Sequence, residues 1–339
     1  MPPLLFCSKI VQIIKETKMF EGKRVLITGG TGSFGNQILE RLLIENPEKI
    51  IIYSRDEKKQ YDMRNKFHQN NIEFVVGDVR DFNRILEVMR GIDIVFHAAA
   101  LKQVPNCEFN PMEAVKTNII GADNVRGAAL ECDVEAVISI STDKAVKPVN
   151  VMGMTKAIQE RIMINSNGKN TRFIVVRYGN VIGSRGSVIP FFRERIFKNE
   201  FLPITDFRMT RFLLTLNDAI DLVFKAVVDG KGGEVFVKKM PAAKILDIAK
   251  VMAEALTGKS DYPIKEVGIR PGEKIHEVLV SEEEMKRALE TEEYYTIYSY
   301  NKLKKAKLLK EIDEYTSENT RQLEKDEILR LLKKEKWVD

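Results

Sequence analysis

The chain of 339 residues carries 54 lysines and arginines against 49 aspartates and glutamates, a formal net charge of +5, with 44% hydrophobic and 30% charged residues. That length suits one large domain or two coupled ones, and the near-average composition disfavours disordered, collagen-like and membrane-spanning classes. The positive excess is spread along the chain apart from lysine-rich stretches near the C-terminus, so no basic arm points to nucleic acid. Three scattered cysteines, Cys7, Cys107 and Cys132, build neither a disulfide framework nor a zinc site, and no metal is expected. A reducing, cytoplasmic setting fits best.

Residues 1–18 are apolar, but their longest uncharged stretch is too short to span a bilayer and no small-residue cleavage site follows. They read as an N-terminal extension, with the compact domain opening at Met19. Short β-branched runs then recur at 24–28, 49–54, 73–78, 93–100, 136–142 and 173–180, separated by segments of helical spacing such as Ile38, Leu39, Leu42 and Leu43. Strands alternating with helices imply crossover connections and a doubly wound parallel α/β sheet buried on both faces. The alternation fades after about residue 180. Helical stretches at 218–228, 244–256 and 281–290, with extended pieces at 234–237 and 264–268, predict a smaller α/β domain completing a cleft. The resulting division is 1–18 extension, 19–190 nucleotide domain, 191–300 mainly substrate domain, and 301–339 a tail whose last helix lies near 323–332 and clasps the body or a neighbouring subunit.

Gly29, Thr31, Gly32, Ser33, Phe34 and Gly35 lie between the first strand and the first helix in the pattern TGxxGxxG. Glycines there permit a tight turn and close backbone approach, so a pyrophosphate can rest on the helix N-terminus. The second strand ends about 20 residues later, the context that makes such a loop diagnostic. It ends in Ser54-Arg55-Asp56-Glu57-Lys58-Lys59, where Arg55 with Lys58 or Lys59 suits a 2′-phosphate. NADP is therefore expected over NAD, although Asp56 aimed at the ribose would reverse the preference. Asp78 and Val79 follow the third strand and are placed to meet adenine. Lys102 and Gln103 follow the fourth, at the carboxyl edge where open α/β sheets bind ligands.

The loop, HAAA at 97–100 and Ser-Thr-Asp-Lys at 141–144 together resemble the extended short-chain dehydrogenase/reductase superfamily. That family places a catalytic Tyr four residues before a Lys. Here Lys156 is present and Met152 stands where the Tyr would be. The segments at 101–125, 141–157, 177–192, 206–219 and 268–279 are similar to the inverting UDP-N-acetylglucosamine 4,6-dehydratases. The Met-x-x-x-Lys pattern and the tail EYTSENTRQL resemble their capsular-polysaccharide (CapE-like) branch.

The resemblance implies oxidation of the sugar at C4 by NADP, loss of water across C5 and C6, return of hydride to C6 and inversion at C5. Lys144 is the candidate C5 base, with a pKa expected to be lowered by partial burial and by the neighbouring positive charges of Lys156 and the nicotinamide. Asp143 becomes the acid at C6, while Lys156 with Thr142 handles the ribose and the O4 proton. Ala98, Ala99, Ala100, Asn118, Ser141, Tyr178, Asn180 and Val181 would line the cofactor. Asn180, Arg185, Ser187, Val188, Arg195, Arg211, Arg270 and Glu273, together with Lys102, would meet the sugar nucleotide. Cys107, in the loop after the fourth strand, is either a buried small hydrophobe or a redox-sensitive thiol. Secondary 3-epimerisation, a homo-oligomer such as a hexamer, and a downstream sugar reductase or epimerase are further expectations. A UDP-hexose 4-epimerase and a non-catalytic NADP or nucleotide-sugar sensor are the alternatives.

Overall fold

The computed structural model describes residues 19–166, 168–184, 186–300 and 313–339; the N-terminal extension with Cys7, Arg185 and the first part of the tail lie outside them. The six β-branched runs form β1 (Arg24–Thr28), β2 (Lys49–Ser54), β3 (Ile72–Val76), β4 (Ile94–His97), β5 (Ala136–Thr142) and β6 (Arg172–Tyr178). They lie in the spatial order β3-β2-β1-β4-β5-β6, every pair parallel. Val25, Leu26, Ile27 and Val137, Ile138 have no exposed surface, because helices cover both faces. The strand order reverses between β1 and β4, and a crevice opens at their carboxyl ends.

The connecting helices are α1 (Ser33–Ile44), α2 (Glu57–Lys66), α3 (Phe82–Met89), α4 (Val104–Phe109), α5 (Pro111–Ala114), α6 (Gly121–Glu131) and α7 (Val151–Ile164). Asp56, Asp81 and Asn150 cap α2, α3 and α7 by accepting from the backbone N–H of Lys59, Arg84 and Gly153. Between α5 and α6 the chain takes one π-helical stretch, Val115–Ile120, a widening that recurs at functional sites and here buries Thr117 and Asn118.

Past β6 come β7 (Asn180–Val181), α8 (Val188–Phe197), β8 (Leu202–Ile204), β9 (Thr210–Leu214), α9 (Leu216–Asp229), β10 (Glu234–Lys238), β11 (Ala242–Lys244), α10 (Ile245–Thr257), β12 (Ile264–Glu266) and β13 (Val278–Val280). The chain closes with α11 (Glu282–Met285), β14 (Ala288–Glu290), β15 (Tyr294–Tyr298), β16 (Tyr315–Thr316) and α12 (Lys325–Lys334). A second core forms where α8, α10 and α12 meet through Phe192, Ile248, Met252, Ile328 and Leu332. The described part of the tail thus packs on the body of its own chain.

Two expectations change. The extended piece at 234–237 is β10, which pairs parallel with β6 and then antiparallel with β15, so among the described residues the main sheet has nine strands and the 191–300 stretch re-enters the nucleotide domain. The predicted helix at 281–290 stops at Met285. Arg287 is buried and donates to the carbonyl of Tyr298, which draws the following residues into the β14–β15 ladder. Among the described residues no helix is long and apolar enough to cross a membrane.

Candidate active site

The crevice holds a cavity of about 1180 Å³ running from the glycine loop to Arg270. At its nucleotide end Gly29 has φ +67°, and a Cβ there would stand 2.7 Å from the backbone of Ala99. A Cβ on Gly35 would meet the carbonyl of Gly30 at 2.0 Å, so this glycine lets α1 seat directly under the loop without itself facing the cavity. Thr31 and Ser54 join hydroxyls at 2.9 Å across the loop base. Arg55 lines the wall with Nη1 3.3 Å from Asp78. Burial pushes the Asp78 carboxyl up, but the Arg80 hydrogen bonds and the charge of Arg55 outweigh it and hold the group below the ordinary carboxylate range. Asp56 also borders the cavity, yet its oxygens are taken by the Lys59 backbone and ammonium. Lys58 turns away to Asp62 at 2.8 Å and does not line the cavity.

The far end is built by the turn after β5. Thr142 and Lys144 line the cavity, and Asp143 sits behind them with no exposed surface. The Lys144 ammonium lies 3.0 Å from Asp143 and 3.2 Å from Glu277. Burial would lower its pKa, but these two carboxylates prevail and raise it, the reverse of the sequence expectation for Lys144. Burial together with the nearby Glu277 charge pushes the Asp143 carboxyl up, the direction an acid needs. Its Oδ2 has no hydrogen-bond partner, while Oδ1 accepts from the Thr142 hydroxyl at 2.9 Å.

On α7, Lys156 reaches the cavity and donates to the carbonyl of Ile140 at 2.5 Å and to Gln159 at 2.7 Å. Burial, opposed by Glu160, lowers its pKa to about 8. Met152, one turn earlier, also faces the cavity and packs against Cys107 and Ala114. Tyr178 lines the same wall with its phenol pKa raised by burial. His97 lies beneath, its pKa pushed down to about 3 by burial and by Lys156.

The structure brings Ser33, Phe34, Val79, Ala98, Ala99, Ala100, Ser141, Val181, Lys102, Asn180, Ser187, Arg270 and Glu273 to this cavity. It separates others. Val188 opens α8 and packs on the second core. Arg195 is spent on the carbonyl of Phe201 at 2.8 Å and on Glu200 at 3.2 Å. Arg211 is a buried brace that donates to the carbonyls of Thr210, Ile275 and Lys274. Asn118 ties Leu101 to Thr155. Cys107 is wholly buried, and burial with the charge of Glu108 pushes its thiol pKa up, away from a reactive thiolate.

Sequence reasoning passed over Glu277, Thr117 and Glu108. Glu277 stands inside the segment 268–279, but only the fold shows it touching Lys144. The hydroxyls of Thr117 and Ser187 and the amide oxygen of Asn180 are buried beside the cavity without partners. Unsatisfied groups of this kind suit a polar ligand. With the cradle at Gly29 they fit a dinucleotide and a sugar.

Residues 25–299 match the profile of a family described as polysaccharide biosynthesis protein. The chain belongs to that family. It is 48% identical over 332 residues to a protein named UDP-glucose 4-epimerase from Rickettsia bellii (strain RML369-C), covering 93% of this chain and 96% of the relative. A protein of the same name from Rickettsia prowazekii (strain Madrid E) is 47% identical over 334 residues, covering 93% and 96%. Among solved structures, Pen from Bacillus thuringiensis superposes with a TM-score of 0.88 at 39% identity, covering 94% of this chain and 99% of that one. The dTDP-glucose 4,6-dehydratase DesIV from Streptomyces venezuelae, with NAD and TYD bound, shares the fold at a TM-score of 0.68 and 19% identity, covering 74% and 86%. This member of the polysaccharide biosynthesis family thus has the Rossmann-like extended short-chain dehydrogenase/reductase fold with a second, smaller domain.

Proposed function

We propose that this nucleotide-sugar-modifying enzyme of the dehydratase/epimerase superfamily removes water from UDP-N-acetylglucosamine across C5 and C6, giving a UDP-2-acetamido-2,6-dideoxy-4-hexulose inverted at C5. The observation that carries the reading is Lys144 on the cavity wall, its nitrogen 3.0 Å from a buried Asp143 whose carboxyl pKa is pushed up by burial. An amine and a carboxylic acid side by side serve elimination, whereas a 4-epimerase needs no acid and base at C5 and C6. NADP is the proposed cofactor, because Arg55 faces the cavity while Asp56 is engaged as the cap of α2. Bound through the Gly29–Phe34 loop, Ser54 and Arg55, it supplies reversible hydride acceptance at C4 and return at C6.

The chain's own groups do the proton work. Lys156 orients the ribose, and its pKa of about 8 lets it exchange protons near neutrality. Lys156 with Thr142 takes the O4 proton, and the Thr142 hydroxyl on Asp143 is a path by which that proton recharges the acid after it has been spent. Asp143 protonates the departing C6 oxygen through the same contact, and Lys144 receives the C5 proton once the C4 ketone has acidified it. Arg270 and Lys102 meet the diphosphate. The ketone also acidifies C3, so slow 3-epimerisation can accompany the main reaction.

The name shared by relatives at 48% and 47% identity favours a second reading, C4 epimerisation. Time-resolved proton NMR with UDP-N-acetylglucosamine separates the two. A new C6 methyl doublet beside a hydrated C4 ketone supports dehydration, and a C4 epimer that keeps its hydroxymethyl group refutes it.

A further inference from the structure

We propose that Asn150 is a positioning residue that ties the turn presenting Arg270 and Glu273 to the start of the active-site helix α7, an inference that rests on reading the cavity as a UDP-sugar site. The tie sets where the substrate's diphosphate lies relative to Lys144 and Lys156. Asn150 is 5% exposed and, like Gly272, stands behind the cavity wall rather than on it. The two ends of its amide serve different parts of the chain. Its Oδ1 accepts from the Gly153 N–H at 2.8 Å and caps α7, while its Nδ2 donates to the carbonyl of Gly272 at 2.8 Å.

Both sides of this joint lead to the cavity. On the helix side, a Cβ on Gly153 would stand 2.2 Å from the Lys144 carbonyl oxygen, so the first turn of α7 rests directly on the turn that carries that lysine. Met152 and Lys156 follow on the same helix. On the other side, Arg270, Pro271 and Glu273 line the cavity around Gly272. Gly272 has φ +80°, and a Cβ there would stand 3.0 Å from the Cβ of Asn150, so the close approach depends on glycine.

Residues 268–273 belong to no helix or strand. Within the turn, the Glu273 N–H donates to the carbonyl of Arg270 at 3.2 Å and the Arg270 N–H to the Glu273 carboxylate at 3.5 Å. Its flanks are fixed by the Val267 N–H on the carbonyl of Ile204 and by Arg211 on the carbonyls of Lys274 and Ile275. Among the described residues, the bond from Asn150 is the one that joins 268–273 themselves to the body of the protein. The start of α7 has a second support, since the Glu108 carboxylate accepts from the Val151 N–H at 2.6 Å. Aspartate at position 150 can still cap Gly153, but it presents an acceptor to the Gly272 carbonyl where the amide presents a donor.

The test compares Asn150→Asp, Gly272→Ala, Arg270→Ala and the double variants with wild type. Calorimetric titrations with UDP and with NADPH are read beside KM and kcat for UDP-N-acetylglucosamine. Asn150→Asp is expected to weaken UDP binding and raise KM about tenfold, the scale of one lost hydrogen bond, while NADPH affinity and kcat stay within about 3-fold. Gly272→Ala displaces the turn and leaves the cap intact, so it should show the same pattern, and it decides the matter if Asn150→Asp does not fold. In an Arg270→Ala background either change should cost less than about 3-fold more, because the tie acts through the turn. UDP affinity within about 3-fold of wild type in either folded variant overturns the proposal. So does an equal loss for UDP and NADPH, or a loss that adds in full to that of Arg270→Ala. An Arg270→Ala enzyme that binds UDP as wild type does defeats the reading of the turn as a substrate contact instead.

Discussion

Arg177 offers a severe test of what holds the active-site helix. Its side chain is 2% exposed, and its guanidinium bridges Glu160 on α7 at 2.6 Å and Glu284 on α11 at 2.8 Å, with a further bond to the carbonyl of Leu279. Arg177→Met leaves two buried carboxylates facing an apolar chain, and breaking a buried pair from one side costs about 3–5 kcal/mol. Glu160 keeps the Ser141 hydroxyl, and Glu284 keeps Ser281 with Arg287 3.9 Å away, which favours the lower half of that range. With an unfolding entropy of roughly 2.1 cal/mol/K per residue over 339 residues, the melting temperature should drop by about 4–6 °C. Differential scanning calorimetry near neutral pH reads this directly. The effect also has a pH signature. Burial opposes ionisation of Glu284, but Arg177 prevails and holds its carboxyl at about 2, so this stabilisation is complete above the ordinary carboxylate range and is lost as pH falls toward that value. The gap between variant and wild type should therefore narrow in acid. A triple variant that adds Glu160→Gln and Glu284→Gln should recover most of the loss, because no charge is then left unpaired. A single variant within about 1 °C of wild type would refute the assignment of this triad as the tie between α7, β6 and α11.

Three further outcomes follow from the site. Gly29→Ala places a methyl 2.7 Å from the Ala99 backbone at a positive φ and should weaken NADPH binding by at least about tenfold, read by titration calorimetry with the circular dichroism spectrum unchanged. Arg55→Glu should reduce the preference for NADPH over NADH by about tenfold or more in the same titration, and an unchanged ratio would move the 2′-phosphate contact elsewhere. Because burial sets the Lys156 pKa near 8, a reaction in which its free amine takes the O4 proton should quicken as pH rises through that value, and Lys156→Arg should remove that limb from the kcat profile.

The six parallel strands were legible because each is a run rich in β-branched residues, five of them buried on both faces while the edge strand β3 leaves Glu73 and Val76 exposed, and the glycine loop because backbone crowding at Gly29 and Gly35 admits no side chain. The 281–290 segment misled because its spacing suits a helix, while the decisive contact, Arg287 to the carbonyl of Tyr298, is formed with a later strand. Charge was the least legible property. Arg195 and Arg211 read as phosphate ligands in a one-dimensional list of guanidiniums, yet backbone carbonyls consume both. The protonation of Lys144 depends on Glu277, which no local pattern places beside it.

Two lysines of ordinary intrinsic basicity are driven apart by their surroundings, and this separates their roles more sharply than the missing tyrosine does. Lys156 is buried against a carbonyl and an amide oxygen, and the nearby carboxylate, Glu160, is committed to Arg177 and Ser141, so its ammonium is destabilised and can part with a proton. Lys144 is buried between two acids and rests as a cation. A group poised near neutrality suits the proton exchange at O4 proposed above, which the Met152 thioether beside it cannot carry out. A resting ammonium takes a proton from carbon only after it has lost one, so a dehydration that uses Lys144 as its base should quicken as pH rises, because Asp143 and Glu277 hold that lysine in its charged form.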